Sequence, residues 1–109
     1  MKEDLLKIVE HFGINNQQRK LEEEIFELEE AITINQLKEM VEYEIPLTEI
    51  VGTREHIAEE IADVMLLLEQ FKTYYGITSE EITNLFWSKV ARTLERIESG
   101  YYDKQSNNS

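Results

Sequence analysis

Two acid pairs stand out in this chain, each with its members three positions apart: Glu24 with Glu27, and Glu60 with Asp63. On a helix, residues three apart share a face, so two such helices set antiparallel bring four carboxylates together. Carboxylate-only ligation suits a hard divalent cation, Mg²⁺ or Mn²⁺. The chain has no cysteine and only two histidines, which rules out a thiolate zinc site and a disulfide framework.

Helical phase separates these acids from their many acidic neighbours. At about 100° per residue, Leu21, Ile25, Leu28 and Ile32 form an apolar stripe beside Glu24, while Gln17, Lys20 and Glu27 fall within about 60° of it. Glu24 therefore sits at the edge of the core, whereas Glu22, Glu29 and Glu30 turn outward. With Asp63 set at zero, Ile57, Val64, Leu67, Leu68 and Phe71 span about 40° to 140°, and Glu60 falls near 60°, inside the apolar arc. Asp63 lies between Leu66 and Leu67 in angle and is expected to have no route to bulk water. Acids at core positions need compensation, either a divalent cation or a Lys or Arg partner inside the fold. His56, one turn before Glu60, is placed to orient a carboxylate.

The elements that position these residues are helices. Gly13, Pro46, Gly52, Gly76 and Gly100 cut the chain into four helical stretches. The first covers about Lys2 to Phe12, and the second starts near Asn15 or Asn16, either of which can cap it. It passes Ala31 and then either runs on to about Tyr43 or kinks near Thr33-Ile34-Asn35, where β-branched residues weaken helix propensity. The third begins after Thr53 and ends near Tyr75. Thr78 and Glu81 read as a capping box for the fourth, which reaches Glu98 or Ser99. The expectation is an all-α antiparallel bundle of about four helices, forming one domain over residues 1–100, with a flexible tail from 101 to 109. On the fourth helix Lys89, Arg92 and Arg96 share one edge of the apolar face, where they can either hold the β and γ phosphates of a triphosphate or form salt bridges with the acidic helices.

With 23 acidic against 11 basic residues, the net charge is −12. That disfavours nucleic acid and anionic membrane as partners, since both need a positive face. The longest apolar run, Val64 to Leu68, is far short of the roughly 20 residues of a membrane span, and the N-terminus does not read as a secretory leader. A soluble, cytoplasmic protein is expected.

Glu23-Glu24-Ile25-Phe26-Glu27 followed by Glu60-Ile61-Ala62-Asp63 resembles the EExxE and ExxD signature of MazG-like all-α nucleoside triphosphate pyrophosphohydrolases. Gln17, Lys20 and Leu21 resemble the family's approach to the first motif, and Lys89, Arg92 and Arg96 its basic final helix, so the likeness covers most of the chain. It implies that Glu24, Glu27, Glu60 and Asp63 ligate Mg²⁺, with Mn²⁺ a substitute, and that Glu23 helps orient the attacking water. It further implies hydrolysis of a nucleoside triphosphate to monophosphate and pyrophosphate, with Gln17, Lys20 and the basic strip on the substrate. Assembly as a homodimer or homotetramer, completing bundle and site, is also implied. The chain departs from the pattern in its connection between the motifs, residues 28–59, which is long and contains Glu44-Ile45-Pro46. The competing reading is a non-catalytic acidic interaction module, whose function would ride on outward acids such as Glu29 and Glu30 rather than on Asp63. A redox di-metal bundle ranks last, because no histidine follows a Glu at the Glu-x-x-His spacing.

Overall fold

A computed structural model of the chain describes residues 2–40 and 50–103, and these are helical with no strand among them. The helices are α1 (Lys2–Phe12), α2 (Ile14–Met40), α3 (Arg54–Tyr74) and α4 (Ser79–Glu98). They fall into two compact units, Met1–Tyr75 and Gly76–Ser109.

Local chemistry sets most of the boundaries. Gly13 adopts φ +88°, a left-handed conformation open to glycine, and its N–H donates to Val9 O at 2.8 Å to close α1. The Asn16 side-chain amide donates to Phe12 O at 2.7 Å, satisfying a terminal carbonyl of α1. Asn16 is thus spent on the helix before it, and α2 begins at Ile14, earlier than a cap at Asn15 or Asn16 would place it. Thr53 caps α3 as expected, its hydroxyl accepting from His56 N–H at 3.1 Å.

α2 runs through Thr33-Ile34-Asn35 without interruption. The reason is tertiary. Asn35 Nδ2 donates to Gly52 O at 2.7 Å, Lys38 Nζ donates to Val51 O at 2.6 Å, and Gly52 packs against Ile34 and Asn35 so closely that an added Cβ would stand 2.7 Å from Ile34 Cγ2. At the other end of the pair, Gln17 Nε2 donates to Gln70 Oε1 at 2.8 Å. These two ends fix α2 and α3 as antiparallel, with Gln17 level with Gln70 and Asn35 level with Gly52. The expected continuation to Tyr43, and Glu44-Ile45-Pro46, lie outside the described residues.

α1 packs on α2 and α3. Among the described residues, the buried apolar side chains are Val9, Ala31 and Leu67, and the buried polar ones are Gln17, Glu24, Glu60 and Gln70. Hydrophobic burial alone does not place four polar groups at the centre of three small helices.

In the second unit, α4 carries the expected capping box: Thr78 Oγ1 accepts from Glu81 N–H at 3.1 Å and Glu81 Oε2 accepts from Thr78 N–H at 2.7 Å. The Thr78 N–H, and after it the Thr78 hydroxyl, donate to the Glu81 carboxylate and hold it below its ordinary range. No residue of α4 is buried, and Leu85, Phe86, Trp87, Leu94 and Ile97 are all exposed. Tyr101 to Asp103 carry helical backbone, and the Arg96 guanidinium lies 4.7 Å from the centre of the Tyr101 ring. The remainder of the expected tail lies outside the described residues. No helix among the described residues is long and apolar enough to cross a membrane.

Candidate metal centre

α2 and α3 set Glu24 and Glu60 into the first unit with relative exposures of only 6% and 8%. Each carboxylate is bonded on one side. Glu24 Oε1 lies 3.1 Å from Lys20 Nζ, one turn earlier on α2. Glu60 Oε1 lies 3.2 Å from His56 Nε2, one turn earlier on α3. His56 is itself oriented, because its Nδ1 accepts the Gly52 N–H at 3.3 Å, which leaves the proton of the neutral ring on Nε2, facing Glu60.

The second oxygens, Oε2 of Glu24 and Oε2 of Glu60, are buried and have no hydrogen-bond partner. A buried acceptor without a donor costs about 1 to 3 kcal/mol, and more when charged, so these two are the least expected feature of the unit. One oxygen from each of Glu24, Glu60 and Asp63 lies within 4.8 Å of the other two. Around Mg²⁺, with oxygens at about 2.1 Å, opposite ligands stand about 4 Å apart, so a small inward movement closes this set on a cation. The donor set is all carboxylate oxygen, the chemistry of a hard divalent ion.

Glu27 belongs to the same field although it is exposed. Its carboxyl is raised above the ordinary range, chiefly by the charge of Glu24, with desolvation, a hydrogen bond to Glu24 and the charge of Glu60 adding to it and Lys20 opposing. The Lys20 ammonium is raised in turn, first by its hydrogen bond to Glu24.

No family model, curated protein or solved structure matches the chain. What the cluster can do follows from its own donors.

The structure brings together Glu24, Glu60 and Asp63, with Glu27 and Lys20 beside them and Gln17 two turns from Glu24. One expectation is corrected. Asp63 is exposed, as are Ile61, Met65, Leu66 and Leu68 around it. Helical phase gives an angle about the axis, but the cover on α3 reaches only the side that holds Leu67, and Asp63, Leu66 and Met65 lie beyond it. Glu23 is exposed, with an oxygen 3.7 Å from Lys20 Nζ. Gln17 is buried in its bond to Gln70, while also lining a cavity that reaches Glu24 and Asp63. Lys89, Arg92 and Arg96 lie on α4, in the second unit.

Gln70 is the residue that sequence reasoning passed over. It is 1% exposed, the most deeply buried large side chain beside Val9. Its signal was available, since seven residues from Asp63 it returns to within about 20° of the same face.

Proposed function

We propose that the chain is a Mg²⁺-dependent nucleoside triphosphate pyrophosphohydrolase, cleaving a ribo- or deoxynucleoside triphosphate to the monophosphate and pyrophosphate. The observation that carries this reading is twofold: Glu24 and Glu60 each keep a buried, partnerless oxygen, and one carboxylate oxygen of each converges with one of Asp63. A cation there would complete both and relieve the mutual repulsion that raises Glu27. The order of the acids, Glu24 and Glu27 before Glu60 and Asp63, is that of the MazG-like signature they resemble.

Glu24, Glu60 and Asp63 would hold the ion, with Glu27 as the fourth carboxylate. Mg²⁺, when bound there, would supply charge neutralisation of the triphosphate and activation of water at neutral pH. Glu23, next to Glu24 in sequence, would orient the attacking water and accept its proton. The water oxygen bonds to the α-phosphorus as the bond to the α,β-bridging oxygen breaks, and pyrophosphate leaves with the electron pair. The His56 bond holds Glu60 in position, and Gly52 holds His56.

Assembly as a homodimer or homotetramer belongs to the same proposal. Phe26, Met65, Leu85, Trp87 and Ile97 are large apolar side chains left exposed, and further copies of the chain would cover them.

Pyrophosphate release from a panel of ribo- and deoxynucleoside triphosphates, in Mg²⁺ and in chelator, tests the reading. Release with the matching monophosphate is expected in Mg²⁺ only, falling at least a hundredfold in a folded Asp63→Asn variant. If nothing in the panel is cleaved, or if Asp63→Asn cleaves as fast as the wild type, the hydrolase reading is wrong and the acidic interaction module takes its place.

A further inference from the structure

A cavity of about 230 Å³ opens in the first unit beside the acid cluster, and Glu24 and Asp63 form part of its wall. Phe12 and Leu66 supply apolar wall, and Gln17, Gln70 and Lys20 supply further polar groups. Both glutamines are buried, at 7% and 1% exposure, yet their amides are only partly used. Gln17 gives one N–H to Gln70 Oε1, and Gln70 gives one N–H to Leu66 O at 3.3 Å. Each amide has two N–H donors and a carbonyl that accepts twice, so Gln17 keeps its carbonyl and one N–H, and Gln70 keeps one N–H. The bond between them also fixes which end of Gln17 donates.

Distance along the helices sets the length of what fits. Gln17 precedes Glu24 by two turns on α2, and Gln70 follows Asp63 by two turns on the antiparallel α3, about 10 Å in each case. A ligand that fills the cavity and reaches the carboxylates is therefore longer than a phosphate group. It needs a flat apolar body to lie against Phe12 and an edge of adjacent donors and acceptors at its far end. A nucleobase joined through a sugar to a phosphate has that form. The cavity is smaller than the roughly 300 to 1,000 Å³ of pockets for whole drug-sized ligands, which favours a one-ring base.

We infer that this cavity takes the base of a pyrimidine nucleotide, with Gln17 reading the edge of the ring and Gln70 holding Gln17 in register. The inference rests on the proposed hydrolase for the place of the phosphates, while the cavity and its amides stand on the geometry alone. The test is a titration of the intact ¹⁵N-labelled protein with deoxycytidine, deoxyuridine and deoxyadenosine 5′-monophosphates in Mg²⁺, following the side-chain amide signals of Gln17 and Gln70. It is paired with kcat/KM on pyrimidine and purine triphosphates for the wild type and Gln17→Met.

Saturable shifts of both amides with the pyrimidine monophosphates are expected, together with a fall of about tenfold in the pyrimidine-to-purine ratio of kcat/KM in Gln17→Met, the size expected for losing a net hydrogen bond. Hydrolysis with both amides unmoved by any nucleotide, or with the ratio unchanged in the variant, overturns the inference and leaves the hydrolase standing. Amide shifts in a protein that cleaves no triphosphate support the cavity assignment and remove the hydrolase. Should Gln17→Met fail to fold, the wild-type titration decides alone, and amides that ignore pyrimidines overturn the inference.

Discussion

The partnerless oxygen of Glu60 gives a direct handle on the site, because an amide in its place changes what the cluster lacks. In Glu60→Gln, the carbonyl can still accept from His56 Nε2, and the new N–H group puts a donor among acceptors that have none. In chelator the variant is expected to be more stable than the wild type by roughly 1 kcal/mol, read from the urea midpoint, since it removes a buried acceptor that nothing satisfies. In Mg²⁺ the order reverses, because only the wild type gains stability from binding. A variant less stable than the wild type in chelator would mean that Glu60 is already satisfied without an ion. The burial of Glu24 and Glu60 was legible from helical phase alone, because both positions face the helices that cover them. Asp63 was not, because phase does not tell what stands opposite a face, and neither was Gln70, whose burial depends on its pairing with Gln17 across the two helices.

At the scale of elements, the turn before α3 is the joint on which the site depends. Gly52 adopts φ +83°, and a Cβ there would stand 2.7 Å from Ile34 Cγ2 and 2.9 Å from the Asn35 backbone nitrogen. The backbone atom cannot swing aside, so Gly52→Ala is expected to lose about 2 to 4 kcal/mol from the strained conformation and the overlap together, again by urea unfolding. The same change disturbs the N–H that orients His56, so weaker divalent-ion binding should accompany it. Unchanged stability would show that α2 and α3 do not depend on this close approach. Boundaries governed by adjacent residues were readable in sequence, as with Thr53 and the Thr78 and Glu81 capping box. The start of α2 was not, because Asn16 serves Phe12 instead, and the unbroken passage through Thr33-Ile34-Asn35 depends on Gly52, seventeen residues beyond Asn35.

At the scale of the whole molecule, a net charge of −12 and a large exposed apolar surface make opposing demands. The charge keeps chains apart, and the apolar faces of α3 and α4 favour covering by other copies. Sedimentation velocity at micromolar concentration is expected to give a dimer or tetramer, more firmly associated as salt screens the acids, and Trp87→Glu with Leu94→Glu should shift it toward the monomer. A wild-type protein that sediments as a monomer across that range would remove the assembly from the proposal. An acidic protein acting on a polyanion also needs a cation at the meeting point, which returns the question to Glu24, Glu60 and Asp63.

The measurement that bears most directly on the central claim is a calorimetric titration of Mn²⁺ and Mg²⁺ into the chelator-treated wild type and Glu60→Gln. Saturable binding to the wild type, weakened at least tenfold in a folded Glu60→Gln, is the expected result. Absence of saturable binding to the wild type, or equal binding to both proteins, would contradict it, since the buried oxygens of Glu24 and Glu60 would then serve no ion.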